Sequence, residues 1–275
     1  MRQAQERIKE TVKPAAGPTI GESAEKQSIE PTTCDVGIVF ALSIEAGGLA
    51  DRLKGLVSTL GSGFVAREGA LVGKHAVIVE TGIGSAAAAR GTQALIEGHR
   101  PRWIISAGFA GGLVESLRER DILIANRLCN LNGQELTLDF QSQPSSEATS
   151  GAVRVGKLLS VDRIIDRPEQ KRELAQTHAA DAVDMETWGV AEVCQREKIP
   201  LLAVRIISDV VDRKLPRDLE HLIKQKSFAG RFGAVTGAVF RRPSSIKDMW
   251  QLREDALECS ERLAKFLEGI IKQLP

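Results

Sequence analysis

The chain reads as a single α/β domain: a mixed, largely parallel central sheet flanked by helices, with a long C-terminal helix. Three observations predict this. Short apolar runs alternate with helix-like stretches from Asp35 onward. The runs are apolar throughout rather than at every second residue, as strands covered on both faces must be. Glycines cluster where the runs end, the place for tight turns or close backbone approach. At 275 residues the chain is long enough to bury a full core of this kind.

The strands in order are "VGIVFAL" (36–42), "AVIVET" (76–81), "WIISAG" (103–108), "DILIAN" (121–126), "KLLSV" (157–161) and "LLAVRIIS" (201–208). Between them, "GSAAAARGTQALIEGHR" (84–100) and "TWGVAEVCQREKI" (187–199) read as helices that cover the sheet. The glycines at strand ends are Gly73, Gly82, Gly84, Gly108, Gly111 and Gly112. Residues 130–151 are polar and turn-rich, and read as a hairpin and a surface loop rather than a domain boundary. A last helix begins near Ser245. In it Met249, Leu252, Ala256, Cys259, Leu263, Phe266 and Ile270 recur at alternating spacings of three and four, one apolar face to pack on the domain or on a subunit partner. Residues 1–33 carry five basic and five acidic side chains and almost no large apolar ones, too little burial to offset the entropy of ordering. They are expected to form a flexible N-terminal tail, with the domain over 34–275.

Composition narrows the function classes. With 37 basic and 36 acidic residues the net charge is +1, so no overall field attracts nucleic acid or an anionic membrane. The four cysteines, Cys34, Cys129, Cys194 and Cys259, are far apart, with no C-x-x-C pair to hold zinc or form a redox couple; they read as reduced thiols. No run approaches the roughly 20 apolar residues of a membrane span, and the N-terminus has no apolar signal core. The expected location is the cytoplasm. His75, His99, His178 and His221 have no ligand spacing.

In a parallel sheet, ligands bind beyond the carboxyl ends of the strands. Glu45 follows the first strand, "TGIG" the second, "GFAGG" the third, and Ser208-Asp209 closes the last. Two of these ends bring carboxylates and two bring glycines, an open cleft with acids at its rim. Gly82, Gly84 and Ala87 match G-x-G-x-x-A, but the ribose-binding acid about 20 residues further on is missing, so no dinucleotide cofactor is expected. Asp184 and Glu186 have no histidine cluster beside them, and no metal is expected either. Taken alone, Asp209 with Asp212 could cap a turn, and Glu186 could be a solvated first-turn acid. Arg205 is harder to place on a surface: a charge inside an apolar strand needs a buried partner or costs several kcal/mol.

Five motifs, "DVGIVFALSIEA", "ETGIGSAAAARG", "IISAGFAGGL", "VDMET" and "LLAVRIISDVVD", occur in the order and at intervals similar to those of 5′-methylthioadenosine/S-adenosylhomocysteine nucleosidases. Those enzymes belong to the purine nucleoside phosphorylase and uridine phosphorylase superfamily. The resemblance spans 35–212. The stretch "GAVFRRPSSIKDMWQLREDALECSERLAKFL" looks more like the hopanoid-associated branch, which implies a nucleoside-lipid substrate.

The resemblance implies a nucleoside phosphorylase-like domain that works without metal or cofactor, as a homodimer, on a purine nucleoside. It makes Asp209 the acid that protonates the purine, with Ser208 orienting its carboxyl, Glu45 beside the attacking water, and Glu186 on the ribose hydroxyls. Met185 then lies against the sugar face, Asp184 is among the substrate-binding residues, and Arg205 supports the acidic cluster from its strand. Phe109, Ala110 and Gly111 fall in the cleft, and Ile164 and Ile165 form the wall for the base. Cleavage of an N-glycosidic bond builds positive charge on the sugar and negative charge on the base, so one protonated carboxyl must face the base while carboxylates face the sugar. Acids gathered in a partly apolar cleft should raise the pKa of at least one, and Asp209 is the expected one.

Three features depart from the family pattern. Ser106 stands where phosphorylases place a phosphate-binding arginine, and Phe109 where they place a serine, which makes water the expected nucleophile. Ile164 and Ile165 replace the aromatic side chain that stacks on adenine, so the base is held with less orientation. The middle region, 127–153, is shorter than in the nucleosidases and leaves room for a larger 5′ group. The competing expectations are a phosphate-dependent phosphorylase and a nucleoside-binding protein without turnover.

Overall fold

The computed structural model describes residues 33–61, 63–138, 152–215 and 244–275, with the side chains of the last stretch described from Arg253 onward. The expected N-terminal tail, apart from its last residue, lies outside the described residues. So do most of the polar loop before residue 152 and much of the stretch with the hopanoid-branch resemblance.

Among the described residues, ten strands make one mixed sheet. In chain order they are β1 (Val36–Phe40), β2 (Lys54–Leu60), β3 (Val65–Leu71), β4 (Lys74–Glu80), β5 (Trp103–Gly112), β6 (Ile122–Asn130), β7 (Glu135–Thr137), β8 (Val153–Ser160), β9 (Ala182–Asp184) and β10 (Leu201–Asp209). The helices are α1 (Ser43–Ala50), α2 (Ser85–His99), α3 (Pro168–His178), α4 (Thr187–Glu197) and α5 (Ser244–Gln273). Parallel pairing joins β1 to β4 and β5, β5 to β10, and β8 to β6 and β9. Antiparallel pairing joins β2 to β3, β3 to β4, β5 to β9, and β6 to β7 and β10. Five strands, β5, β10, β6, β8 and β9, therefore close into a ring, and β1, β4, β3 and β2 extend from it as an open wing.

Packing explains which strands are apolar. β1 lies between two parallel neighbours and is buried at all five residues. Along β10 the side chains alternate: Leu202, Val204 and Ile206 pack with Leu49 of α1 and Leu263, Leu267 and Ile271 of α5. Ala203 and Ile207 join the opposite layer with Leu95 of α2 and Val190 and Cys194 of α4. Burying a large aliphatic side chain contributes about 1.5–3 kcal/mol, so these two layers drive the fold. The stripe on α5 packs on the domain itself: Cys259, Leu263 and Ile270 are buried and Phe266 rests against the same layer.

Two details place the functional groups. β5 continues as far as Gly112, four residues beyond the apolar run, so "GFAGG" remains in the sheet beside β10. The β5–β10 register shifts between Ile207 and Asp209, a bulge that turns the end of β10 and re-aims Asp209.

Candidate active site

Glu45 is the third residue of α1, and its carboxylate reaches back over the start of the helix. Its Oε2 accepts the N–H of Leu42 at 2.9 Å and of Ala41 at 3.1 Å, satisfying donors that a helix start leaves open. Its Oε1 accepts the N–H of Phe109 at 2.9 Å. That approach requires glycine at 108, where a Cβ would lie 2.9 Å from Glu45 Oε1. Glu45 is 6% exposed. Burial pushes its carboxyl up, while the N–H of Phe109, the charge of Arg205 and the other two N–H groups pull it back.

Glu186 sits at the start of α4, immediately after β9. Its Oε1 accepts the N–H of Gly84 at 2.7 Å, so it closes the N-terminus of α2 from across the cleft. Gly84 presents that N–H from a left-handed conformation at φ 96°, which favours glycine. The G-x-G-x-x-A element thus serves a carboxylate of this chain. Burial, then the neighbouring charges of Asp184 and Glu45, push the Glu186 carboxyl up to about 8. At neutral pH it holds a proton.

Behind these two lies a buried network. Arg205 is 2% exposed and donates from Nε (3.0 Å) and Nη2 (2.8 Å) to Asp184 Oδ2, with Nη2 also on Ser106 Oγ at 2.8 Å. Asp184 Oδ2 also accepts the N–H of Thr187 at 3.0 Å and its hydroxyl, and Oδ1 accepts Ser160 Oγ at 2.6 Å. Arg205 therefore has the buried partner its strand position demanded, and Asp184 spends both oxygens inside the protein. Ser106, at the position of the missing arginine, is occupied by Arg205.

Asp209 is 5% exposed. Ser208 Oγ donates to its Oδ1 at 2.8 Å, and the ammonium of Lys171 donates to its Oδ2. The sequence reading expected a raised carboxyl at Asp209; what the structure places there is a buried cation. Lys171, in the first turn of α3, is fully buried and also donates to the carbonyls of Val210 at 2.7 Å and Arg213 at 3.2 Å. Sequence reasoning missed it. A signal existed: Lys171, Leu174, Ala175 and His178 recur at helical spacing, and Leu174 and Ala175 pack on an apolar cluster, so this lysine lies on the buried face of its helix.

A cavity of about 540 Å³ brings Glu45, Glu186 and Asp209 together with Met185, Ser208, Phe109, Ala110, Gly111, Ile164, Ile165 and Asp184. Of the residues the sequence singled out, Arg205 and Ser106 lie outside it. The wall also uses residues that the sequence did not assign to a site: Val161, Ile83, Arg213, Leu215, and Ala256 and Cys259 from α5. The volume lies within the ordinary range for small-molecule sites. Among the described residues, no group of three His, Cys, Asp or Glu side chains is arranged to hold a metal ion.

Carboxyls and backbone N–H groups gathered round an apolar cavity, at the strand ends of an α/β sheet, have the form of a small-molecule site. The chain belongs to the phosphorylase superfamily, whose family model matches residues 35–242. It is 29% identical over 219 residues to the 5′-methylthioadenosine/S-adenosylhomocysteine nucleosidase of Listeria welshimeri, covering 68% of this chain and 91% of that protein. The enzyme of the same name from Haemophilus influenzae is 27% identical over 209 residues, with the same coverage. Among solved structures, the Neisseria meningitidis nucleosidase in complex with methylthio-immucillin-A superposes with TM-score 0.70 at 22% identity, over 87% of this chain and 99% of that one. A futalosine hydrolase mutant from Helicobacter pylori gives TM-score 0.62 at 20% identity, over 87% and 99%.

Proposed function

We infer that the protein is an N-ribosyl hydrolase that cleaves the glycosidic bond of a purine nucleoside. The expected substrates are 5′-modified adenosines such as 5′-methylthioadenosine or S-adenosylhomocysteine. The observation that carries this reading is the single cavity shared by Glu45, Glu186 and Asp209, which arise from three separate strand ends. The base lies against Val161, Ile164 and Ile165, with Met185 on the sugar and Glu186 on the ribose hydroxyls. As the C1′–N bond breaks, its electron pair passes to the base, and a ring nitrogen takes a proton from Asp209. Water adds its oxygen to C1′ and releases a proton to the Glu45 carboxylate. General acid–base steps of this kind contribute about 10²–10⁴-fold each.

Water is favoured over phosphate because Ser106 stands where the phosphorylases place their phosphate-binding arginine, with its hydroxyl taken by Arg205, which is itself committed to Asp184. Glu45 itself would repel a phosphate dianion. On the same reading the chain acts as a homodimer in the cytoplasm; sedimentation that finds only monomer removes the first part. No helix among the described residues is long and apolar enough to cross a membrane.

A panel of adenosine, 5′-methylthioadenosine, S-adenosylhomocysteine and a bulky 5′-alkyl adenosine, assayed for free base with and without phosphate, tests the reading. Free base with the matching free sugar, ribose from adenosine and the 5-substituted ribose from the others, is expected independent of phosphate. The corresponding sugar 1-phosphate would assign a phosphorylase, and tight binding without base release would assign a binding protein.

A further inference from the structure

The cation behind Asp209 has no role in the chemistry above. We propose that Lys171 is a positioning residue that also supplies the proton Asp209 hands to the leaving base. This rests on the nucleosidase reading of the site.

The environment of Lys171 is what distinguishes it from a structural lysine. Its ammonium is wholly removed from water, and its three donors are taken by Asp209 Oδ2 and the carbonyls of Val210 and Arg213. The same ammonium therefore sets the carboxyl and the turn that follows it. A buried pair contributes little net stability compared with apolar residues of similar volume. What it does supply is a proton held between Nζ and Oδ2 on the side of Asp209 that is closed to solvent.

The proton balance closes. At rest the pair holds one proton in the hydrogen bond between Nζ and Oδ2. When the C1′–N bond breaks and its electrons enter the base, the shared proton leaves through Asp209 to the ring nitrogen. The pair is left as neutral amine and carboxylate. The water that attacks C1′ gives one proton to Glu45. Release of that proton to solvent and uptake of one by the pair restore both sites.

Other charges near the pair are already engaged or only line the same cavity. Arg213 is held by Glu119 and Asp255, and Asp212 by Arg172. Arg167 is the N-cap residue of α3 and Glu169 lies in its first turn, Arg205 is committed to Asp184, and Glu45, Asp184, Glu186, Arg163 and Arg253 line the cavity.

Two substitutions separate proton supply from positioning, each measured for base release against pH and for thermal unfolding. Lys171→Arg keeps the charge and the hydrogen bonds but cannot give up a proton. We expect a loss of kcat of about 100-fold or more at every pH, with KM little changed. Lys171→Met removes the cation and makes the carboxyl depend on solvent for its proton. Its kcat should fall at neutral pH and recover as the pH is lowered, with the alkaline limb moved to lower pH than in the wild type. Lys171→Arg with wild-type kcat overturns proton supply. So does a Lys171→Met loss that is uniform across pH, or an alkaline limb moved upward. If one variant fails to unfold cooperatively, the other decides by itself. Wild-type protein that releases base from no nucleoside would instead refute the nucleosidase reading.

Discussion

Glutamine at position 186 keeps the shape of a protonated carboxyl and removes its ability to ionise. In the folded protein Glu186 titrates at about 8, against an ordinary value of 4.5, because burial and the charges of Asp184 and Glu45 oppose its ionisation. Between these values the folded state holds a proton that the unfolded chain has released. The associated stability is complete below the unfolded value and is lost as pH rises toward the folded one. The interval from 4.5 to about 8, at about 1.4 kcal/mol per pH unit, sets a ceiling of about 5 kcal/mol. Part of it belongs to Glu45, whose carboxyl is also raised by burial and is relieved when its neighbour loses charge. Urea unfolding of wild type and Glu186→Gln at about pH 5 and about pH 8.5 measures the difference directly. The variant should gain on the wild type by about 2–5 kcal/mol between the two conditions. A wild-type-to-variant difference that is the same at both pH values would refute the account of why Glu186 keeps its proton.

Asp209→Asn should abolish base release, by about 10²–10⁴-fold or more, while the fold persists by circular dichroism. Full activity in that variant removes the acid role. Gly108→Ala places a Cβ 2.9 Å from a carboxylate oxygen held by three backbone donors, so about 1–3 kcal/mol of stability and most of kcat should be lost together; an unaffected variant would show that Glu45 is free to move. Arg205→Met leaves Asp184 buried with only neutral donors, and urea denaturation should register a loss of about 3–5 kcal/mol.

The parts of this molecule legible in sequence were those where burial writes a pattern. β1, β4, β5 and β10 are apolar runs because each lies inside the sheet, and α2, α4 and α5 show the stripe they bury. β2 and β3 left no such trace. β2 is exposed along its whole length, so nothing in "KGLVSTL" had to be uniformly apolar, and the antiparallel share of the sheet was underread as a result. β9 has only three residues, too few to show a period. In the site, Glu45, Glu186 and Asp209 could be found because each follows a strand, where a parallel sheet places its ligands. Arg205 declared itself as a charge in an apolar strand. Lys171 was hidden by its neighbours: "PEQKRELAQ" reads as a solvated helix unless the lysine is assigned to the apolar face with Leu174 and Ala175. Cys259 and Ala256 were read only as part of a packing face, yet they also wall the cavity, because a helix that begins 35 residues beyond Asp209 in the chain folds back over it.

The central claim is that three carboxyls from distant segments meet one sugar–base linkage. A crystal structure with a non-hydrolysable 5′-modified adenosine analogue tests it most directly. Asp209 should lie within about 2.6–3.2 Å of a purine ring nitrogen, with Glu186 on the ribose hydroxyls and Glu45 facing C1′ across a water. An analogue bound with its base beyond the reach of Asp209, or seated outside this cavity, would contradict the account.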